Sequence, residues 1–334
     1  MKITLYYHKD FDGICSAAVF TSYVRNALDS DAVFEFVAVD YDQKKTWANK
    51  RFSEVTAIVD FLYHPDAEWW FDHHPTTFVR KDWELLYKRD PQHVWSPEYK
   101  SCPRLIVDAI ENVSIRHKLQ SQFSEALYWC DVIDSATYAS PQQVIDCAEA
   151  ALQINATLIR GVTVEYLNFL VGCLERSSLS VVAELEPVRQ RFQSSREWQD
   201  AAISYVREGG HVSKGVAFID FSPQSDLFHR YAAYYLWPDI EFQVALYRRS
   251  GFYRLTVAAN PWLRSEGPNL GALCERYKGG GHHAVGGVIF SSRKQAVRCA
   301  CEILRILRKE LPFHEQLSLR PAVSDETVPG KTER

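Results

Sequence analysis

The chain has 334 residues, 46% of them hydrophobic and 24% charged, enough apolar material for two buried cores. A formal net charge of -4 provides no global basic surface, which excludes long duplex DNA as a partner and favours small or short anionic ligands. No stretch approaches a membrane span and residues 1–8 are too short an apolar run for a secretory signal. The eight cysteines include no Cys-x-x-Cys, so we expect a cytoplasmic protein whose cysteines pack as small apolar groups.

Alternating Ile3, Leu5 and Tyr7 predict a first strand that ends in His8-Lys9-Asp10-Phe11-Asp12-Gly13. Helical spacing of Ile14, Ala17, Ala18, Tyr23, Val24 and Leu28 follows at once, so strand, acidic loop and helix open a βαβ unit. A second strand over residues 33–39 ends in Asp40-Tyr41-Asp42, which we read as a solvated turn before the next helix. A third run, 55–59, ends in Asp60, and Trp69-Trp70-Phe71 ends in Asp72-His73-His74. Two neighbouring imidazoles alone are more often a solvated loop. Three strand ends carrying carboxylate or imidazole change that reading, because in an open parallel sheet the carboxyl ends of the strands face one crevice. Carboxylates gathered there would repel one another unless cations were bound among them. Oxygen and imidazole donors without cysteine suit manganese, magnesium, iron or zinc, and imidazole favours a transition metal over magnesium.

Neither Gly-x-Gly-x-x-Gly nor Gly-Lys-Ser/Thr occurs, which argues against nucleotide-driven motors and dinucleotide-dependent dehydrogenases. Helical spacing dominates residues 102–129 and runs into Asp131 and Asp134, two acids three apart on one helical face. Further helical patterns cover 142–154, 164–174 and 180–206, the last long enough to bridge two lobes. Beyond Gly209-Gly210 the pattern restarts, with strands at 215–219, 242–247, 253–259 and 285–290 and helices at 226–237, 270–277 and 293–311. The expected fold is therefore α/β: a doubly wound, mainly parallel sheet in residues 1–178, a helical linker at 179–210, a smaller mixed α/β domain at 211–311 and a flexible tail at 312–334.

Within the second domain, Lys278-Gly279-Gly280-Gly281-His282-His283 forms another constellation. Successive glycines let backbone N–H groups approach a ligand, and the flanking Lys and imidazoles add compatible donors. A bare Gly-Gly-Gly reads as a mobile hairpin; in a chain that already carries a metal cluster it reads as a phosphate or nucleotide grip. Arg230 and Asn260 are further possible phosphate contacts, and Trp262 is either a core ring or a base-stacking one.

Taken together, these segments resemble the DHH phosphoesterase family, in the branch with a Gly-Gly-Gly-His C-terminal domain. The resemblance covers nearly the whole chain, through His8-x-Asp10-x-Asp12-Gly13, Asp60, Asp72-His73-His74, Asp134-Ser135-Ala136-Thr137-Tyr138 and Gly279-Gly280-Gly281-His282 in that order. It implies two divalent cations, with Mn2+ the first candidate. One would be held by His8, Asp10 and Asp60, the other by Asp12, Asp60, His73 and Asp134, with Asp60 bridging. Asp72 would orient its neighbour, and His74 would contact the scissile phosphate or protonate the leaving oxygen. Asp131 competes for the fourth position, but the residues after Asp134 are closer to the family pattern. Lys278, Gly279, Gly280, Gly281 and His282 would hold the remainder of the substrate.

The implied activity is hydrolysis of phosphodiester or phosphomonoester bonds in short single-stranded oligonucleotides, cyclic dinucleotides or small nucleotides. The rivals are a pyrophosphatase or polyphosphatase and a non-catalytic scaffold. One departure bears on substrate: relatives that degrade very short oligonucleotides often carry Arg-Ser on the strand before the glycine-rich loop, whereas this chain reads Leu255-Thr256-Val257-Ala258-Ala259-Asn260, leaving Asn260 as the replacement donor. A homodimer is compatible with the sequence.

Overall fold

The computed structural model describes residues 1–52, 54–263 and 267–309; the tail expected from residue 312 lies outside the described residues. The contacts separate two units, Met1–Tyr138 with Cys147–Ser195, and Ala139–Asp146 with the chain from Arg196 onward.

In the first unit, β1 (Lys2–His8), β2 (Val33–Val39), β3 (Thr56–Val59), β4 (Trp69–Asp72) and β5 (His93–Trp95) form an all-parallel sheet in the order β2-β1-β3-β4-β5. β3 is central and buried at every residue, as expected of a strand in a parallel sheet covered on both faces. Helix α1 (Phe11–Ala27), buried along most of its length, packs on β1 and β3. Tyr6, Ile58 and Trp70 share one register row across β1, β3 and β4, and they meet Trp47, Phe61 and Trp83 in a separate aromatic cluster. β5 was not foreseen, because three residues are too few to display an alternation.

Two expected helices are each broken. Residues 142–154 split into Pro141–Asp146 and Ala150–Ala156, with Cys147 between them at φ 47, a left-handed conformation that no helix continues through. Residues 180–206 split into Leu179–Ala183 and Glu186–Gly209, because Pro187 is compatible with a first helical turn and not with an interior one. The division between the two units falls within this last helix, at Ser195 and Arg196.

The second unit holds a mixed sheet in the order β10-β11-β9-β8-β7-β6, formed by β6 (His211–Ser213), β7 (Val216–Asp220), β8 (Phe242–Arg249), β9 (Phe252–Ala259), β10 (Gly280–Gly281) and β11 (Val285–Phe290). Only β7 and β8 run parallel; the other pairs are antiparallel. The β8–β9 hairpin turns through Ser250 and Gly251, both at positive φ (52 and 82), as a tight two-residue turn requires. Leu255, Val257 and Val288 pack with the helices Leu270–Glu275 and Arg293–Leu307. On the other side, Ala245 and Ile219 pack with the short helix Ala232–Leu236, all that remains of the helix expected at 226–237 apart from one turn at Ser225–Leu227.

Candidate metal centre

In the order β2-β1-β3-β4-β5 the chain passes from β1 to β2 on one side and then crosses back to β3 on the other, so the crevice lies at the carboxyl ends of β1 and β3. His8 is the last residue of β1, Asp60 follows β3, and Asp72 ends β4 with His73 and His74 behind it. Between β1 and α1 the chain folds back tightly. Asp10 caps α1 by accepting from the Gly13 N–H at 2.9 Å, and a Cβ on Gly13 would lie 2.0 Å from the His8 carbonyl oxygen, so only glycine fits. That turn sends Asp12, in the first turn of α1, into the interior at 2% exposure. Asp60 turns the chain in the left-handed region at φ 56, which a short polar side chain tolerates, and its carboxylate is fully buried.

These elements bring the acids and imidazoles together. The Nε2 of His73 lies 3.5 Å from Asp12, 3.4 Å from Asp60 and 3.5 Å from Asp134. His8 Nδ1 lies 2.7 Å from Asp10 and 3.8 Å from Asp60, while His74 Nδ1 lies 2.8 Å from Asp72 and 3.6 Å from Asp60. Three overlapping groups result, His8/Asp10/Asp60, Asp12/His73/Asp134 and Asp60/His73/His74, each with candidate ligand atoms within 4.8 Å of one another. Asp131 is turned away: its oxygens accept from Ser101 Oγ and Arg104 Nε, both at 2.6 Å.

Neighbouring groups set the ring orientations. The Tyr99 carbonyl lies 3.0 Å from His73 Nδ1, and a carbonyl can only accept, so Nδ1 carries the proton and the Nε2 lone pair faces the acids. Asp72 holds His74, two residues on, rather than the adjacent His73. The N–H of Cys102, at the start of the helix Cys102–Ala109, donates to Asp12 at 2.8 Å. A backbone carbonyl and a backbone amide leave no mark in the sequence.

What the side chains leave unsatisfied fits cations. Among the described residues, Asp12 Oδ1, both Asp60 oxygens, Asp72 Oδ2 and His73 Nε2 are buried without a hydrogen-bond partner. So many orphaned acceptors in one place are costly unless a cation takes them up. The electrostatics of the cluster agree. Burial, then the Asp60 and Asp134 charges, holds Asp12 well above the ordinary carboxylate range; burial, then Asp10 and Asp72, does the same to Asp60. Burial opposes charge on His73 and His74, but the neighbouring carboxylates outweigh it and both imidazoles sit above their usual value. The protons held here occupy positions that cations would take. Cys102 is not a thiolate donor, since burial and the surrounding acids push its thiol well up.

Two residues read as a turn also border the cluster. Asp40 accepts from the Tyr41 N–H at 2.6 Å and pairs with Lys9 at 2.7 Å, a capping role, yet it also lies 3.7 Å from His8. The Tyr41 ring stands edge-on to His8 and His74, at 5.2 and 6.0 Å between centroids. Their place follows from β2 lying beside β1, which periodicity does not disclose.

In the second unit, Gly280 and Gly281 form β10 and pair with Gly287 and Gly286. Lys278 is exposed at φ 63, Gly279 leads into β10, and His282 is exposed with its N–H on the Val285 carbonyl at 2.7 Å. Arg230 is exposed beside the Tyr231 ring. Asn260 does not offer the donor expected of it. It is buried, its Nδ2 donates to the carbonyls of Pro238 and Ile240 at 3.0 and 2.8 Å, and its Oδ1 accepts from the Trp262 N–H, so both amide protons are spent on the fold. Trp262 packs edge-on to Tyr231 and Tyr234 in the core cluster.

A scan against protein-family models finds no match, and no curated protein matches the sequence. Solved structures do match. A pGpG-specific phosphodiesterase from Vibrio is 19% identical and superposes with a TM-score of 0.70, over 93% of this chain and 98% of its own. The chain has the DHH fold. That fold recurs, with TM-scores of 0.50, in an exopolyphosphatase-related protein from Bacteroides fragilis (14% identity, 92% of this chain, 93% of its own) and in RecJ in complex with Mg2+ from Thermus thermophilus (10% identity, 93% of this chain, 50% of its own). At such identities it is the DHH architecture that is shared, while the side chains of the centre have to be argued from their own geometry.

Proposed function

We propose that the protein is a metal-dependent phosphoesterase that hydrolyses short linear nucleotides, dinucleotides first among them. The buried cluster of unsatisfied carboxylate and imidazole atoms carries the reading. His8, Asp10 and Asp60 would hold one divalent cation and Asp12, Asp60, His73 and Asp134 a second, with Mn2+ favoured by the imidazoles. Bound there, the cations would neutralise phosphoryl charge and make water nucleophilic at neutral pH.

The chain's own residues do the rest. Tyr99 fixes the His73 tautomer that presents a lone pair. Asp72 pins His74 Nδ1, leaving Nε2 without a partner among the described residues, and the raised pKa of that imidazole suits it to donate a proton to the leaving oxygen. Tyr41 screens the rings of His8 and His74 from water on one side. Lys278, the glycines Gly279 to Gly281, His282 and the exposed Arg230 are the candidates for holding the non-reacting part of the substrate. The dinucleotide preference is supported by the closer, full-length match to the pGpG-specific phosphodiesterase than to the exopolyphosphatase-related protein.

Incubation with Mn2+ and a panel of dinucleotides, cyclic dinucleotides, 3',5'-bisphosphorylated nucleosides, longer single strands, pyrophosphate and polyphosphate tests this. Mononucleotides released fastest from dinucleotides are expected. Exclusive turnover of pyrophosphate or polyphosphate would replace the nucleotide reading, and a folded, Mn2+-loaded protein inert on every substrate would leave a scaffold.

A further inference from the structure

β2 runs parallel to β1 with Val39 opposite His8, so the residues that follow Val39 come up beside the metal centre. The chain turns there through a single helical turn, Tyr41–Gln43, and is pinned at its start. Asp40 accepts from the Tyr41 N–H at 2.6 Å and pairs with Lys9 Nζ at 2.7 Å, while the Lys9 N–H donates to the Val39 carbonyl at 3.2 Å. Lys9 lies between His8 and Asp10, so one loop fixes two candidate ligands and the backbone of Tyr41 together.

The ring therefore has a fixed place. It stands edge-on to His8 and His74 and packs at a tilt on Phe61, with centroids 5.5 Å apart. Phe61 is fully buried, whereas Tyr41 is 37% exposed, so one ring closes the core and the other is left at the border of the centre. The Tyr41 hydroxyl forms no hydrogen bond among the described residues. Burial first, then the charges of Asp72, Asp60, Asp10 and Asp134, holds its phenol above the ordinary value. Charges act on a partly buried group in this way only from nearby, so the oxygen end of the ring faces the acids, and it keeps its proton there. Packing on Phe61 uses the ring; nothing in the described fold uses the hydroxyl.

We infer that the Tyr41 hydroxyl contacts substrate at the reacting centre, donating a hydrogen bond to a non-bridging oxygen of the scissile phosphoryl group. The ring borders both His8, a candidate ligand, and His74, the candidate donor to the leaving oxygen, so a phosphoryl group served by those two lies within its surroundings. A donor whose backbone and ring are already held needs little reorganisation, and its worth grows with the charge on the oxygen that accepts from it. No proton leaves the phenol in this role. The inference rests on the phosphoesterase reading and adds a substrate-contacting residue to it.

Tyr41→Phe in the full, Mn2+-loaded chain tests it, because the change deletes the hydroxyl and keeps the ring. The variant should lose roughly 10- to 100-fold in kcat/KM, the range of a hydrogen bond to a charged group. The loss should be the same on a dinucleotide and on a chromogenic aryl phosphodiester, since the contact is with the phosphoryl group common to both. A dinucleotide analogue with methylene in place of the scissile ester oxygen should also bind less tightly to the variant, while Mn2+ affinity and melting temperature stay at the parent values. Parent-like turnover or parent-like analogue binding would overturn the inference by leaving Tyr41 a packing ring. So would a loss confined to the dinucleotide, which places the contact away from the reacting phosphorus, or a fall in Mn2+ affinity or melting temperature, which gives the hydroxyl a structural role. The phosphoesterase reading is scored on the parent. Hydroxyl-dependent binding of the analogue without hydrolysis of either substrate would sink that reading and leave the phosphate contact standing, and hydrolysis indifferent to the hydroxyl would sink this inference alone.

Discussion

Asp60 concentrates the electrostatic problem of the centre, with both oxygens buried and unpartnered on a left-handed backbone. Its folded pKa lies above the unfolded value, so in the chelated protein the folded state takes up a proton. The stability from that protonated form is full below about pH 4 and is lost as pH rises through the folded pKa. At neutral pH the carboxyl is therefore a net cost that cations reverse. Asp60→Asn keeps the shape and tolerates the same backbone while removing the titration. We expect the chelated variant to melt above the chelated parent at pH 7.5, Mn2+ to raise the melting temperature of the parent far more than that of the variant, and hydrolysis to be lost. Thermal unfolding with and without chelator decides it, and a parent-like Mn2+ response would remove Asp60 from the centre.

At the scale of elements, the turn between β1 and α1 and the packing around Trp198 in the second unit each depend on one position. Gly13→Ala would drive a Cβ against the His8 carbonyl, backbone on backbone, at a cost of about 3 kcal/mol or more. The turn carries His8, Asp10 and Asp12, so lower thermal stability and weaker Mn2+ binding should appear together; stability lost with Mn2+ affinity intact would separate the turn from the centre. In the second unit, His229 lies 6% exposed beside Trp198 of the helix Glu186–Gly209, ring centroids 5.4 Å apart, and accepts from the Tyr231 N–H. Burial pushes its pKa down to about 4. The unfolded chain takes a proton near pH 6.5, so the stability associated with neutral His229 is intact above that pH and is lost as pH falls through about 4, by up to roughly 3 kcal/mol. His229→Asn keeps an acceptor for Tyr231, and urea midpoints followed by tryptophan fluorescence should fall less steeply between pH 6.5 and 4 than in the parent. Identical slopes would mean that His229 charges freely in the folded state.

For the molecule as a whole, the proposed chemistry and the proposed grip belong to different units. Binding energy made away from the reacting phosphorus positions a substrate that needs positioning, and a small activated phosphodiester does not need it. Gly280→Val, whose Cβ would meet nothing within 4 Å, and His282→Ala should therefore depress turnover of a dinucleotide roughly tenfold more than that of a chromogenic aryl phosphodiester. His74→Ala should lower kcat on the dinucleotide even at saturation. Parallel kinetics on the two substrates check this, and equal losses after the His282 change would place the glycine-rich segment in the catalytic centre itself.

Much of this was legible in the chain. Alternation and helical spacing are local properties, and they located β1 to β4, α1 and most strands of the second unit, with an acid or imidazole at the end of three strands. Turn chemistry is local as well, so the glycine-rich segment stood out before any fold was known. The tertiary structure alone decided the matters that rest on distances between residues remote in sequence. It turned Asp131 to Ser101 and Arg104 and left Asp134 beside His73, set Asp72 on His74, and placed the Tyr99 carbonyl on His73. It also spent the Asn260 amide on two carbonyls. Strand order and register set those encounters, and both are decided by packing across the whole sheet, which no window of sequence contains.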